Sequence, residues 1–447
     1  MSEISPKLVL QKNTDMEAKV AIKSDKIMPF GGIFSVIREF SSIERLIDSE
    51  LGLRVKAVGY QYSEIMRTMM CNYLCGGERM EDIKIYQPGI EYMPGMKLCS
   101  PDTMLRAIDE LTAANTTYEA ESGKSYDFNT SEKLNTLMVK AAMRQGLLRP
   151  GRQYILDFDH KFIEAEKFDA KFSYRGERGY MPGVSVLTDM ATGDDVIVGV
   201  ENRDGNANVK FHQADTLERT FKRIESNGLW ATKVRCDCGS YSREIIETIS
   251  RHCHKFYIRA NMYEALRESL AEHTDWEKVD VDGQETEVLS LPFTSIEGIN
   301  HCRLVVQRTK KETPDLFDGQ YVYRAILTND WDTDEAEIIS FYNQRGAKEK
   351  IFDQMDNDFG WNYLPKSFMG QNAVFLVLTS IIRNFYCGLL RSKRIKAFAL
   401  DRKSRLKSFI SKFLAVPAKW IKRARGYVLN LYTERNGYEE IFNLGFG

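Results

Sequence analysis

The segment YILDFD (residues 154–159) marks the point at which the spacing of apolar residues changes from about 3.6 positions to about 2. Its apolar residues alternate with Asp157 and Asp159, so both carboxylates lie on one face of a predicted strand. The next segment, GVSVLTDMATGDDVIVGVEN (183–202), predicts a hairpin, and helices and strands then alternate as far as KFYIRA (255–260). This order predicts an α/β core with a mixed sheet.

Working outward from this core, the 447 residues divide into five predicted regions. Before residue 149, apolar residues recur every three or four positions, which predicts helices. From residue 262 onward short apolar strands predict a β insertion, after which helical patterns return. The regions are a helical N-terminal domain (1–148), the first part of the core (149–261), the β insertion (262–318), the second part of the core (319–390) and a basic helical C-terminal region (391–447).

The charges are balanced overall but unevenly distributed. Lys and Arg total 62 and Asp and Glu total 63, so net charge predicts neither nucleic-acid nor membrane binding. Between Arg391 and Arg425, however, thirteen basic residues face one acid, Asp401. This asymmetry is typical of a polyanion-binding surface, although an ordinary solvated basic surface has the same composition.

Cysteine content and hydrophobic runs predict a cytoplasmic protein. Eight cysteines are too few for a disulfide scaffold in a chain of this length, and residues 1–21 contain no continuous apolar segment typical of a secretory signal. The most apolar run, AVFLVLTSIIRNFYCGLL (373–390), includes Arg383 and Asn384. We therefore interpret it as a buried core helix and not as a membrane span.

Two further acids stand where they can join those of the first strand. Asp237 in VRCDCG (234–239) ends a predicted strand, at the sheet edge where open α/β proteins place their sites. Glu349 shares a predicted helix face with Tyr342, Arg345 and Asp356. Two aspartates and a glutamate form an all-oxygen pocket suited to Mg²⁺ or Mn²⁺. Two such ions about 4 Å apart can activate a water or a 3′-hydroxyl and stabilise the leaving oxygen of a phosphodiester.

Two other patterns leave alternatives open. The residue types of a zinc site occur at spacings that fit buried thiols better: Cys236, Cys238, His252, Cys253 and His254. Aromatic residues at helical spacing among lysines suit either base stacking or a core face: Phe409, Phe413 and Trp420.

In their order along the chain, these segments resemble the DDE transposases of bacterial insertion sequences, which have an RNase H-like catalytic core. The family signature is Tyr, two residues, Arg, three residues, Glu, six residues, Lys; Tyr342, Arg345 and Glu349 match it. Similar segments elsewhere include GYMPGVSVL, RDGNANVKFHQAD and NDFGWNYLPKSFMGQNAVFLVL. The resemblance implies an RNase H-like mixed-sheet core with a mainly β insertion, flanked by a helical DNA-binding domain and a helical basic region.

The resemblance also implies roles for individual residues. Asp159, Asp237 and Glu349 would form the catalytic triad that holds two Mg²⁺ or Mn²⁺ ions, with Asp157 as a less favoured ligand. The expected DNA contacts are Tyr342, Arg345, Lys350, Arg391, Lys393, Arg394, Arg402, Lys403, Arg405 and Lys407.

The function implied is cleavage and strand transfer at insertion-sequence ends, by a cut-and-paste route through hairpin ends. The expected partners are double-stranded DNA with terminal inverted repeats, target DNA and a second copy of the chain in the DNA complex, with no membrane. The expected location is the bacterial cytoplasm, at the nucleoid. The alternatives are a host nuclease built on the same core and a catalytically inactive DNA-binding protein derived from a transposase.

Two positions depart from the family pattern. Asp356 stands where the family has a lysine, and Lys161 stands where it usually has a hydroxyl residue. An acid at position 356 is expected either to repel a DNA phosphate or to cap the turn at residues 357–360.

Overall fold

The computed structural model describes residues 7–8, 18–23, 25–315 and 319–446. The N-terminal region is mainly helical. Its elements are β1 (Lys7–Leu8), β2 (Ala18–Lys19), α1 (Ile33–Leu51), α2 (Tyr62–Leu74), α3 (Ile83–Ile90), α4 (Pro101–Leu111), β3 (Thr116–Glu119), β4 (Ser125–Asn129) and α5 (Glu132–Arg144). The hairpin β3–β4 departs from the expected helical pattern, because β4 pairs with the main sheet.

The first part of the core contains the strands that the alternating pattern predicted. Its elements are β5 (Tyr154–His160), β6 (Ile163–Glu164), β7 (Lys171–Phe172), β8 (Arg178–Tyr180), β9 (Gly183–Asp189), β10 (Asp195–Arg203), α6 (Gln213–Glu225), β11 (Ala231–Cys236), α7 (Arg243–His252) and β12 (Lys255–Arg259). Strand β5 pairs parallel with β11 and antiparallel with β9, while β11 pairs parallel with β12. The expected mixed sheet is therefore confirmed.

The β insertion extends this sheet and does not form a layer of its own. After α8 (Glu264–Glu272), its strands are β13 (Glu277–Val281), β14 (Gln284–Phe293) and β15 (Cys302–Asp315), and β16 (Gly319–Thr328) begins the second part of the core. Strand β16 pairs with β12, so the order across the described sheet is β13-β14-β15-β16-β12-β11-β5-β9-β10-β4-β3. The insertion thereby adds strands to one edge of the core sheet.

The remaining chain corrects the expectation of a wholly helical C-terminal region. Its elements are α9 (Glu335–Asn343), α10 (Glu349–Asp358), α11 (Met369–Leu390), α12 (Leu406–Phe409), β17 (Ala418–Arg423), β18 (Gly426–Leu431) and α13 (Gly437–Leu444). The segment at 418–431 is a hairpin because alternate residues of β17 and β18 pack on the helical domain. Phe409 and Phe413 are fully buried, and Trp420 packs against the same core, so the core interpretation of these aromatics is confirmed.

The C-terminal region is joined to the start of α1 by backbone contacts. Met28 and Ala418 exchange two hydrogen bonds, and the Gly31 N–H donates to the Val416 carbonyl at 2.6 Å. A Cβ atom at Gly31 would lie 2.5 Å from the Cβ of Ala418, so only glycine permits this approach. The two regions therefore share one core.

Helix α11 is long and apolar enough to span a membrane, yet nearly all of it is buried within the protein. Its polar residues complete the edge of β10. Asn384 accepts from the Ile197 N–H at 3.1 Å and donates to the Ile197 carbonyl at 2.8 Å. Asn135 of α5 does the same at Val200. Since β4 pairs only with the last residues of β10, these side chains cover an edge that would otherwise be unpaired.

We expect Asn384→Ala to lower the free energy of unfolding by about 1–3 kcal/mol, because it leaves a buried N–H and a buried carbonyl unpaired. The measurement is urea denaturation at neutral pH. Ser380→Ala in the same helix is the matched control, because its hydroxyl donates to Leu376 one turn earlier. Equal losses in both variants would contradict the role of Asn384 as an edge cover.

Candidate active site

Asp159 and Asp237 occupy neighbouring positions at one edge of the sheet. Phe158 of β5 pairs in register with Cys236 of β11, so the next residue of each parallel strand is one of these aspartates. Asp237 follows the last residue of β11 and accepts a hydrogen bond from the Gly239 N–H at 3.0 Å. The strand pairing therefore places both carboxylates at the carboxyl edge of the sheet, as the sequence predicted.

The surroundings of Asp159 disfavour its ionised form, chiefly because the carboxyl group is buried. Burial raises the pKa of Asp159 to about 6, Arg345 opposes this shift, and the charge of Asp237 adds to it. A second cation beside both carboxylates would therefore be stabilising. Their oxygen atoms suit a hard divalent ion.

Arg345 lies against Asp159, with its Nη2 2.7 Å from the Asp159 Oδ2. The buried Nε of Arg345 has no hydrogen-bond acceptor among the described residues. A buried, charged donor without an acceptor is suited to an incoming anion such as a phosphate oxygen. The DNA contact by Arg345 stays a prediction.

Tyr342 has a different place from the one expected. It is 7% exposed, and its hydroxyl donates to the carbonyl of Cys236 at 3.0 Å. This bond fixes α9 to the end of β11, directly before Asp237. A DNA contact by Tyr342 does not fit this buried position, and in the described structure the residue anchors the helix.

Asp157 is engaged in a buried ion pair and is not open to a metal ion. Arg235 Nε and Nη2 donate to its two carboxylate oxygens at 2.7 and 2.9 Å. Lys348 Nζ lies 3.4 Å from Asp157 and also contacts Thr188 and Asp195. Sequence reasoning missed Arg235 and Lys348; the signal for Arg235 was a cation on the neighbouring strand, in register with Asp157.

Glu349 does not join the two aspartates. A turn of 3₁₀ helix at residues 344–348 separates α9 from α10, whereas the sequence predicted one continuous helix through Tyr342 and Asp356. Residues three apart share a face in a 3₁₀ helix, so Lys348 faces the sheet below Arg345 and Glu349 is exposed. Among the described residues, no three acidic, histidine or cysteine side chains are grouped to hold a metal. Glu349 as a ligand therefore stays a prediction.

The zinc interpretation does not fit the structure. Both ring nitrogens of His252 are bonded to carboxylates, Nδ1 to Glu225 at 2.8 Å and Nε2 to Glu218 at 3.0 Å. Cys236 is fully buried, while Cys238 is exposed. His252 joins α7 to α6 through these two carboxylates, while Cys236 belongs to the core under β11.

The two positions that depart from the family pattern contact each other. Lys161 Nζ lies 2.7 Å from Asp356 Oδ2. Lys161 follows the end of β5, two residues after Asp159, and Asp356 is on α10. The ion pair thus joins the strand that bears the first aspartate to the helix that begins at Glu349. Asp356 is neither an isolated negative charge nor the cap of the following turn.

A family model described as transposase DDE domain group 1 matches residues 44–445. The chain belongs to this family. Its core is the mixed α/β fold that the sequence predicted. A solved piggyBac transposase synaptic complex with hairpin DNA is similar at 12% identity and a TM-score of 0.39, over 86% of this chain and 80% of that chain. The comparison with curated proteins found no match.

The transposase pairs the arginines of its basic segment with its own polar groups. Arg391 and Arg402 both contact Asp194, at 3.1 and 3.2 Å. Arg394 lies 3.0 Å from Glu440, and Arg405 contacts Asp353 and Asp358. The lysines in the expected DNA contacts are exposed and have no described ion pair: Lys350, Lys393, Lys403 and Lys407. Much of the positive charge counted between 391 and 405 is therefore neutralised within the protein.

We expect Asp356→Lys and Lys161→Asp each to destabilise the transposase, because each places like charges at the pair. The double variant Lys161→Asp/Asp356→Lys restores the pair with reversed charges. Thermal melts of all four proteins should give a coupling of about 1 kcal/mol, the scale of a partly exposed ion pair. If Asp356→Lys instead gains DNA affinity without loss of stability, phosphate repulsion by Asp356 is the correct interpretation.

Proposed function

We propose that this transposase cleaves DNA at insertion-sequence ends and joins the freed ends to target DNA, with Mg²⁺ or Mn²⁺ as cofactor. The supporting observation is the adjacency of Asp159 and Asp237 at the sheet edge, beside Arg345. The partners proposed are double-stranded DNA with terminal inverted repeats, target DNA and a second copy of the chain. We propose the bacterial cytoplasm, at the nucleoid, as its location.

The donor set fits the proposed cofactor. Asp159 and Asp237 offer only carboxylate oxygens, and burial raises the pKa of Asp159, which a nearby cation would oppose. A divalent ion bound by them would lower the pKa of a water or a 3′-hydroxyl and stabilise the leaving oxygen. Arg345 would bind the phosphate through its unpaired Nε and neutralise part of its charge.

Glu349 is proposed as the third ligand, although it is exposed in the described structure. The proposal requires the 3₁₀ turn at residues 344–348 to become α-helical, which would turn Glu349 to the face of Arg345. The present exposure of Glu349 is the observation that favours the second candidate, a catalytically inactive DNA-binding protein. Cleavage assays decide between the two.

We expect Asp159→Asn and Asp237→Asn each to lower the rate of metal-dependent cleavage 10²-fold or more, which corresponds to a few kcal/mol in the barrier. The measurement is single-turnover cleavage, in Mg²⁺, of DNA that contains both boundaries of the element. DNA binding should persist in both variants. Asp332→Asn, on an exposed loop, is the matched control and should cleave normally.

The same assay with Glu349→Gln tests the third ligand. A loss as large as that of the aspartate variants supports rearrangement of the turn. Cleavage at the wild-type rate would remove Glu349 from the site, and cleavage at that rate by Asp237→Asn would refute the two-aspartate site itself. A wild-type protein that binds the ends but never cuts them would identify the inactive alternative.

The proposed route begins when water attacks the phosphodiester at the element end and frees a 3′-hydroxyl. That hydroxyl attacks the opposite strand, which releases the flanking DNA and leaves a hairpin; a second water reopens it before joining to target. We expect excised ends to migrate as hairpins on a denaturing gel at early times. If nicked ends form and flanking DNA is released with no hairpin at any time, the hairpin step is wrong.

A further inference from the structure

Strands β17 and β18 form a two-stranded ribbon whose distal half projects from the protein. Six residue pairs join the strands, from Ala418–Leu431 at the base to Arg423–Gly426 at the tip. Every residue from Lys422 to Val428 is exposed. Among the described residues the ribbon pairs with no third strand. Its distal half therefore has no protein cover.

The base of the ribbon, in contrast, is held firmly. Ala418 exchanges two backbone hydrogen bonds with Met28, at 2.8 and 2.9 Å. The Trp420 ring meets Phe34 of α1 edge to face, with centroids 5.5 Å apart. Lys419 Nζ lies 2.6 Å from Asp25. These contacts fix the direction of the ribbon against the helical domain, so little ordering of its base is needed on binding.

The charges at the tip differ from those of the preceding basic segment. Lys422, Arg423 and Arg425 have no ion pair among the described residues, and no acid occurs in the sequence between Asp401 and Glu434. The arginines at 391–405 are instead paired with the protein's own carboxylates. The ribbon tip is thus the part of the basic tail where arginine charge remains open to a polyanion.

We propose that this ribbon enters the major groove of double-stranded DNA, an inference that rests on the proposed transposase function. The major groove is about 12 Å wide and about 8.5 Å deep, and it admits a two-stranded β-ribbon. At about 3.4 Å per residue, the strand from Lys422 to the turn reaches about 10 Å beyond the covered base, which matches this depth. The shape and the charge of the tip therefore fit the same partner.

Within the groove, the tip residues have different tasks. Arg425 lies in the turn and can reach base edges, where a guanidinium bonds the O6 and N7 of guanine. Lys422 and Arg423, farther back on the strand, neutralise phosphates along the groove walls. Tyr427, which pairs with Lys422 and is 53% exposed, adds an aromatic surface on the same face.

The test compares two full-length variants that lose the same charge from the basic tail. Lys422→Gln/Arg423→Gln/Arg425→Gln removes the tip, whereas Lys393→Gln/Lys396→Gln/Lys407→Gln removes exposed lysines before the ribbon. Binding to a random-sequence duplex is measured by fluorescence anisotropy in EDTA over a range of salt. We expect the tip variant to lose about tenfold or more in affinity and about 0.9 in salt slope for each lost phosphate contact. The lysine variant should lose clearly less.

A single substitution separates base reading from charge. Arg425→Lys keeps the charge but loses the two-bond geometry to guanine. We expect it to bind random-sequence DNA like the wild type and to lose preference for duplexes selected by the wild-type protein from a random library. If Arg425→Lys keeps the sequence preference of the wild type, and the triple tip variant keeps its affinity for random-sequence DNA, the groove-binding role is overturned.

The remaining outcomes distinguish this proposal from the proposed function. Equal losses in the two triple variants, or none in the tip variant, would overturn the ribbon proposal, while wild-type cleavage in Mg²⁺ would leave the transposase activity in place. If the tip variant loses binding but Asp159→Asn cleaves like the wild type, the catalytic assignment fails and the ribbon remains a DNA-binding element. A change of oligomeric state in the tip variant, with DNA affinity intact, would assign the ribbon to a protein contact instead.

Discussion

The ion pair between Asp157 and Arg235 joins the two strands on which the site is built. Both side chains are almost fully buried, and their two hydrogen bonds satisfy the charges that burial would otherwise penalise. Arg235 also donates to the Phe341 carbonyl at 2.7 Å, while Lys348 approaches Asp157 from the following turn. One network therefore fixes β5, β11 and the α9–α10 junction relative to one another. Asp159 and Asp237 lie two residues beyond its members on each strand.

The same network explains the local shape of the helical segment. Lys348 finds three oxygen-bearing partners on the sheet, and reaching them places it on the inner face in a turn of 3₁₀ helix. The next residue, Glu349, is then directed outward. Lys348 and Glu349 thus compete for one helix face.

Much of the fold could be predicted from the sequence because short local patterns of residues determine its strands and helices. The alternation in YILDFD and the end of a predicted strand at Asp237 indicated the strands and the edge on which the acids meet. The spacing of Tyr342, Arg345 and Glu349 suits one continuous helix, and only the tertiary contacts of Lys348 reveal the turn. In the same way, Trp420 among lysines suited a helix, yet it belongs to a strand because α1 offers Phe34 as its partner. The pairing of Lys161 with Asp356 spans 195 positions and leaves no local pattern.

The shared core of α1 and the C-terminal region has a consequence for the order of events during synthesis. Phe413 and Tyr438 lie in the same apolar cluster as Ile33 and Phe34. A ribosome adds roughly 5–20 residues per second, so α1 waits on the order of 20–80 seconds before these partners emerge. During that interval α2 and α5 can pack on α1, but the part of its apolar face that meets the C-terminal region lacks its partners. Chains released early never acquire this part of the core.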